Sequence, residues 1–223
     1  MLRLSALARA RWLAGLYAAL SIVNSASVAK RLRAGEVATK PLLMPVLVAF
    51  VRAAAGHRKE HVRLAVAGIV MSGLGDTALL ASESWFVPGM GAFAAAHACY
   101  ITALARDGAA RGIHPRVAAG YAALWAVLIA VLWRGLGRLR VPVAAYSLLL
   151  VCMAVLATGR NREAGAGGAL FVASDALIAC GLAGINAVPR QESAVMPTYV
   201  AAQFLLAAGF LRPQRGRVTA DRR

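Results

Sequence analysis

Charge is scarce in this 223-residue chain: only 15% of the residues carry one, and nine Asp and Glu stand against 25 Lys and Arg. With 60% hydrophobic residues and a mean hydropathy of +0.65, that scarcity excludes a soluble domain and leaves a polytopic, all-α membrane protein. Cysteine is scarce too. Cys99, Cys152 and Cys180 are odd in number, lie within apolar runs and form no C-x-x-C pair, which excludes a disulfide framework and a zinc site and makes them small core residues. Aromatic residues reach only 7%, and the cations behind the net charge of +16 sit in short clusters without interleaved aromatics, so no nucleic acid partner is expected. Positive-inside flanks and contact with anionic membrane lipids account for them instead. No cleavable signal peptide, linker or low-complexity tract interrupts the pattern, so residues 1–223 read as a single integral membrane domain.

What the chain has in abundance is apolar runs, and eight are long enough to mark: 12–29, 41–55, 64–82, 85–105, 117–133, 141–159, 164–188 and 193–211. The second is the shortest, since only eleven residues separate Lys40 from Arg52, and Pro41 and Pro45 predict irregular first turns. Trp12, Trp85 and Trp133 fall at run ends, where an interfacial aromatic belt would place them. Seventeen of the Lys and Arg fall on the side of the termini and eight on the other, which predicts cytoplasmic N- and C-termini in a bacterial inner membrane, with Lys30, Arg31 and Arg33 opposing the rule. Spacings of 99 residues from Asp76 to Asp175 and from Tyr100 to Tyr199, and of 97 from Pro45 to Pro142, suggest a parallel internal repeat of four helices plus four.

Where acids are so few, their positions are informative. Between Arg63 and Glu83 lie nineteen residues of which Asp76 alone is charged, in a span long enough to cross a bilayer core. Asp175 repeats the arrangement in Phe171-Val172-Ala173-Ser174-Asp175-Ala176-Leu177-Ile178. The other acids, Glu36, Glu60, Glu83, Asp107, Glu163, Glu192 and Asp221, are expected in loops or in the basic tail from Arg212 to Arg223. An unpaired carboxylate in lipid costs at least ~2.5 kcal/mol, so an intramembrane acid is a functional candidate by default. Ser72 shares a helix face with Asp76, His97 falls near Tyr100, Ser174 adjoins Asp175, and Tyr199 stands four residues before Gln203. Tyr146 lies near the start of the sixth run and Lys40 stands at the head of the second. Each has a plain alternative: Tyr146 and Tyr199 as interface anchors, Ser72 and Ser174 bonded to the preceding turn, Lys40 snorkelling to the headgroups. Together they are too polar to face lipid, and the economical arrangement is an interior cavity that they line.

At these residues the chain resembles the YhhN/TMEM86 family of membrane lysoplasmalogenases. The matching pieces are Thr39-Lys40-Pro41-Leu42-Leu43-Met44-Pro45, Gly75-Asp76 followed by Leu79-Leu80, and His97 with Tyr100. Pro142 with Tyr146 and Met153, Gly168-Ala169-Leu170-Phe171 running into Ser174-Asp175, and Tyr199 with Gln203 complete the set in the family's order. The first and fifth runs match only as apolar segments. The resemblance implies a multi-pass hydrolase that cleaves the vinyl ether bond of a lysoplasmalogen, giving a fatty aldehyde and glycerophosphocholine or glycerophosphoethanolamine.

The residues suit that chemistry. Protonating the alkene carbon creates an oxocarbenium ion, water captures it as a hemiacetal, and the hemiacetal collapses to aldehyde and alcohol. One carboxyl group that keeps its proton and one that stays ionised suffice, the division of labour that glycosidases use. Asp76 and Asp175 are assigned to the pair, in either order. His97, Tyr100, Tyr146 and Gln203 would orient water or the glycerol hydroxyl, and Lys40 would meet the phosphate. The mechanism calls for no metal and no cofactor, and the expected partners are the lysophospholipid substrate and membrane lipids. With the termini inside, the site should open toward the extracytoplasmic leaflet. Two other classes stay open on the residues alone: a proton- or cation-coupled secondary transporter using the same acids, and a non-catalytic lipid-binding protein in which the acids only pair helices.

Overall fold

A computed structural model of the chain describes residues 2–56 and 62–213, with side chains from residue 6 onward. The turn expected at 56–59 therefore lies mostly outside the described residues, as do Glu60, Asp221 and the basic tail beyond 213. The described residues form eight long helices: α1 (Leu2–Ala29), α2 (Arg33–Ala55), α3 (Arg63–Ala81), α4 (Phe86–Arg106), α5 (Pro115–Leu132), α6 (Arg140–Arg160), α7 (Arg162–Leu182) and α8 (Gln191–Leu211). All eight are long and apolar enough to cross a membrane, and the protein is an integral, multi-pass, all-α membrane protein. Its contacts cluster into two compact units, Met1–Ala103 and Leu104–Arg223.

In the first unit α2 packs on both α1 and α3. It begins at Arg33, eight residues before the run expected from hydropathy, so Pro41 and Pro45 lie inside a helix rather than at its start. Polar side chains hold that extension: the Thr39 hydroxyl donates to the Gly35 carbonyl at 2.6 Å, and the Asn24 amide of α1 donates to Thr39 Oγ1 at 2.8 Å. Neighbouring helices and Ser or Thr side chains are what make proline tolerable in a membrane helix. Glu36, expected in a loop, thus belongs to α2, and Glu163 and Glu192 likewise fall in the first turns of α7 and α8, where a carboxylate complements the helix dipole. α1 also starts well before its apolar run, which leaves Trp12 within the helix rather than at its end.

In the second unit α7 packs on both α6 and α8. It ends at Leu182 rather than near 188, because Gly184 takes φ +74° and closes the helix in a Schellman turn: Ile185 N–H donates to Cys180 O at 2.8 Å and Gly184 N–H to Gly181 O at 3.0 Å. Small residues bring the helices together. A Cβ on Gly167 would meet the Leu206 backbone nitrogen at 2.7 Å, one on Gly168 the Ala154 Cα at 2.9 Å, and one on Gly209 the Ala164 Cβ at 2.7 Å. Arg160, expected in a cytoplasmic loop, is instead 2% exposed. Its guanidinium pairs with Asp107 and donates to the carbonyls of Gly209 at 2.9 Å and Phe210 at 3.1 Å, so it satisfies the last turn of α8. The three cysteines are free, but Cys152 is exposed on α6, so the core role fits Cys180 and not Cys152.

Candidate active site

The sequence-predicted residues fall into two groups, one within each unit. In the first, Asp76 is 3% exposed on α3, and Ser72 lies one turn before it with no exposure at all. Ser72 Oγ does not bond the preceding turn as a solitary helix serine would, since it makes no hydrogen bond among the described residues. Gly75 explains how α4 reaches this point: a Cβ there would meet the Phe93 ring at 2.6 Å and the Gly89 carbonyl at 3.1 Å. Gly68 similarly gives way to the Tyr100 ring. His97 and Tyr100 are accordingly buried on α4, and Tyr100 shares an electrostatic environment with Tyr17 and Asp76.

Lys40 does not mark the head of α2. It stands two turns inside the helix, its side chain 12% exposed, and pairs with Glu36 at 3.7 Å while Arg33 approaches the same carboxylate at 3.4 Å. Arg33 also donates to the Leu80 carbonyl, and Gly73 faces Met44. That antiparallel register sets Lys40 at about the height of Asp76.

Sequence reasoning missed the contribution of α1. Tyr17, Ser21 and Asn24 fall at i, i+4 and i+7 and are all buried, which makes a polar stripe on a membrane helix. Asn24 is oriented by its neighbours: the Thr39 proton goes to Gly35 O, so Thr39 Oγ1 can only accept, and the amide must turn its nitrogen toward it. Asn24 Oδ1 makes no hydrogen bond among the described residues. The spacing was present in the sequence, but no charge drew attention to it.

In the second unit the pieces interlock. The Tyr146 hydroxyl of α6 donates to Asp175 Oδ2 of α7. Neither Tyr146 nor Tyr199 is an interface anchor: Tyr146 engages the acid, and Tyr199 is buried on α8, accepting from Gln203 Nε2 at 3.3 Å with the Phe171 ring edge-on at 5.5 Å. Ser174 serves as a tie between helices, its hydroxyl donating to the Val195 carbonyl at 3.2 Å. Between α5, α6 and α7 lies a cavity with about 510 Å³ of empty space, its mouth included, walled by Leu, Ile, Val and Ala side chains with Tyr146 and Asp175 set among them. Trp125 of α5 closes one side and donates from Nε1 to Ser147 Oγ at 3.0 Å. A carboxylate and a phenol in an otherwise apolar wall can deliver or accept a proton on a hydrophobic molecule held there.

Comparison with known proteins adds an independent finding. The model of the YhhN family matches residues 35–210. A protein of Mycobacterium bovis named lysoplasmalogenase is 37% identical over 184 residues, covering 75% of this chain and 67% of its own length. The Homo sapiens protein named lysoplasmalogenase TMEM86B is 32% identical over 152 residues, covering 68% of this chain and 65% of its own. The Rattus norvegicus protein of the same name is 30% identical over 173 residues. These names give the transporter alternative no support. No solved structure matches the chain.

Proposed function

This chain belongs to the YhhN family, and on that premise we propose that it is a lysoplasmalogenase, a membrane hydrolase that adds water across the vinyl ether bond of a lysophospholipid. The products are a fatty aldehyde and the glycerophospho-alcohol. The observation that carries the reading is the Tyr146–Asp175 hydrogen bond in the wall of an apolar cavity, a polar reactive pair where a hydrocarbon chain would be held.

The rate-limiting need in this reaction is a proton on the alkene carbon, followed by stabilisation of the oxocarbenium ion and delivery of water. We assign these tasks to the two intramembrane acids. Asp175 accepts the Tyr146 hydrogen bond, which suits the carboxylate that stabilises the cation and activates water. His97 and Tyr100 are buried on α4, and Tyr199 and Gln203 on α8; these polar groups suit the orientation of water and of the glycerol hydroxyl. The charge distribution supports a bacterial inner-membrane location with both termini in the cytoplasm. Detergent-solubilised protein should release aldehyde from lysoplasmalogen, since hydrolysis needs no closed compartment; absence of turnover in detergent alongside substrate flux in sealed vesicles would replace this reading with transport.

A further inference from the structure

Lys40 stands in the first unit, where it pairs with Glu36, so a phosphate held at the second unit's cavity would meet a different cation. The second unit offers one. The turn from α5 to α6 carries Arg134, Arg138 and Arg140, with Arg134 and Arg138 exposed. Arg140 is held in place at the first residue of α6, its Nε donating to Gly137 O at 2.9 Å and its guanidinium 5.6 Å from the Trp133 ring centre. The cavity begins directly below. Leu132, Val143 and Ala179 line its near end, Tyr146 and Asp175 its middle, and Val151 and Val172 its far end. Trp125 bonded to Ser147, and Tyr146 bonded to Asp175, fix the heights of α5, α6 and α7 relative to one another. From Arg140 to Tyr146 is six residues of helix, ~9 Å at a rise of ~1.5 Å per residue. An arginine side chain at the turn and a glycerol-phosphate in the cavity can bridge that span between them. From Tyr146 to Val151 is a further ~7 Å of apolar wall.

We infer that this unit holds a lysophospholipid lengthwise: the phosphate on Arg138 and Arg140 at the α5–α6 turn, the bond to be cleaved beside Tyr146 and Asp175, and the hydrocarbon chain running toward Val151 and Val172. The ligand class rests on the lysoplasmalogenase reading; the arrangement of a basic rim, a mid-depth carboxylate and an apolar end does not. Arginine suits the rim because its planar fork donates two parallel hydrogen bonds to phosphate oxygens. It also gives α5, which carried no recognisable motif, a part in the site as the wall that Trp125 latches.

Binding to full-length protein in nanodiscs tests this without hydrolysis. The probes are a non-cleavable 1-O-alkyl lysophospholipid and the matching 1-O-alkylglycerol, which lacks the phosphate. The double variant Arg138→Gln, Arg140→Gln should weaken the phospholipid by about tenfold or more, the worth of a charge-assisted contact, and leave the alkylglycerol unchanged. Arg140→Lys, which keeps the charge, should recover part of the loss. Val151→Phe should weaken long-chain probes of both kinds more than short-chain ones. Equal weakening of both probes by the arginine variant, or none, overturns the phosphate assignment, and insensitivity of Val151→Phe to chain length overturns the chain's direction. A wild-type protein that discriminates the probes as described but releases no aldehyde would keep the site and discard the hydrolase reading.

Discussion

Asp76 and Asp175 carry the chemical argument, and conservative substitution isolates it. Asp→Asn keeps size and much of the hydrogen bonding but removes the transferable proton and the charge, so each variant should lose ~10²–10⁴-fold in turnover while still inserting and purifying. Tyr146→Phe should lose about tenfold, because it removes one hydrogen bond to Asp175 and leaves the carboxylate in place. Losses of tenfold or less in both Asp variants would remove the acids from the mechanism. Both residues could be found from sequence because a lone charge in an apolar run is conspicuous. Lys40 misled for a related reason: hydropathy marks where the apolar run begins, not where hydrogen bonding begins, and Thr39 with Asn24 carried the helix past it. Tyr17, Ser21 and Asn24 escaped notice because neutral polar residues at helical spacing look unremarkable until burial is known.

At the scale of the helix, glycine contacts decide what can pack. Gly167→Ala places a methyl within 2.7 Å of the Leu206 nitrogen, against backbone that cannot yield, so it should lower thermal stability in detergent by an amount typical of overpacking, ~1–3 kcal/mol. Gly120→Ala on α5 meets nothing within 4 Å and should be neutral or stabilising by up to ~1 kcal/mol. Equal effects of the two, measured by thermal unfolding, would contradict close α7–α8 packing. The existence of all eight helices was legible in hydropathy, and most ends fall within a residue or two of expectation. The exceptions have local causes. Thr39, bonded to Asn24, extends α2, the Schellman turn at Gly184 shortens α7, and α1 starts ten residues before its apolar run; Arg160, at the expected end of α6, is buried because Asp107 and the end of α8 receive its charge. Side-chain partners distant in sequence leave no periodic signal.

The whole molecule poses two questions, which way it sits in the membrane and what it does there. The orientation proposed from the positive-inside count, with both termini cytoplasmic, predicts that a cysteine at Glu83, introduced into a Cys-free background, reacts with an impermeant maleimide on intact cells and that one at Arg111 does not. Both positions are exposed, whereas Arg160 is buried and unsuited to labelling. The opposite pattern would invert the topology and move the α5–α6 turn to the cytoplasmic side. The fold class was readable from composition alone, and the family from an ordered set of short motifs, but the substrate came from resemblance and not from spacing. The central claim is therefore a claim about chemistry, and one assay meets it directly: aldehyde release by the purified protein, with a lysoplasmalogen and its ester lysophospholipid counterpart as parallel substrates and Asp175→Asn as control. Aldehyde from the vinyl ether lipid alone, lost in the variant, is the predicted result. No aldehyde from the folded wild-type protein, or fatty acid released from the ester instead, would contradict it.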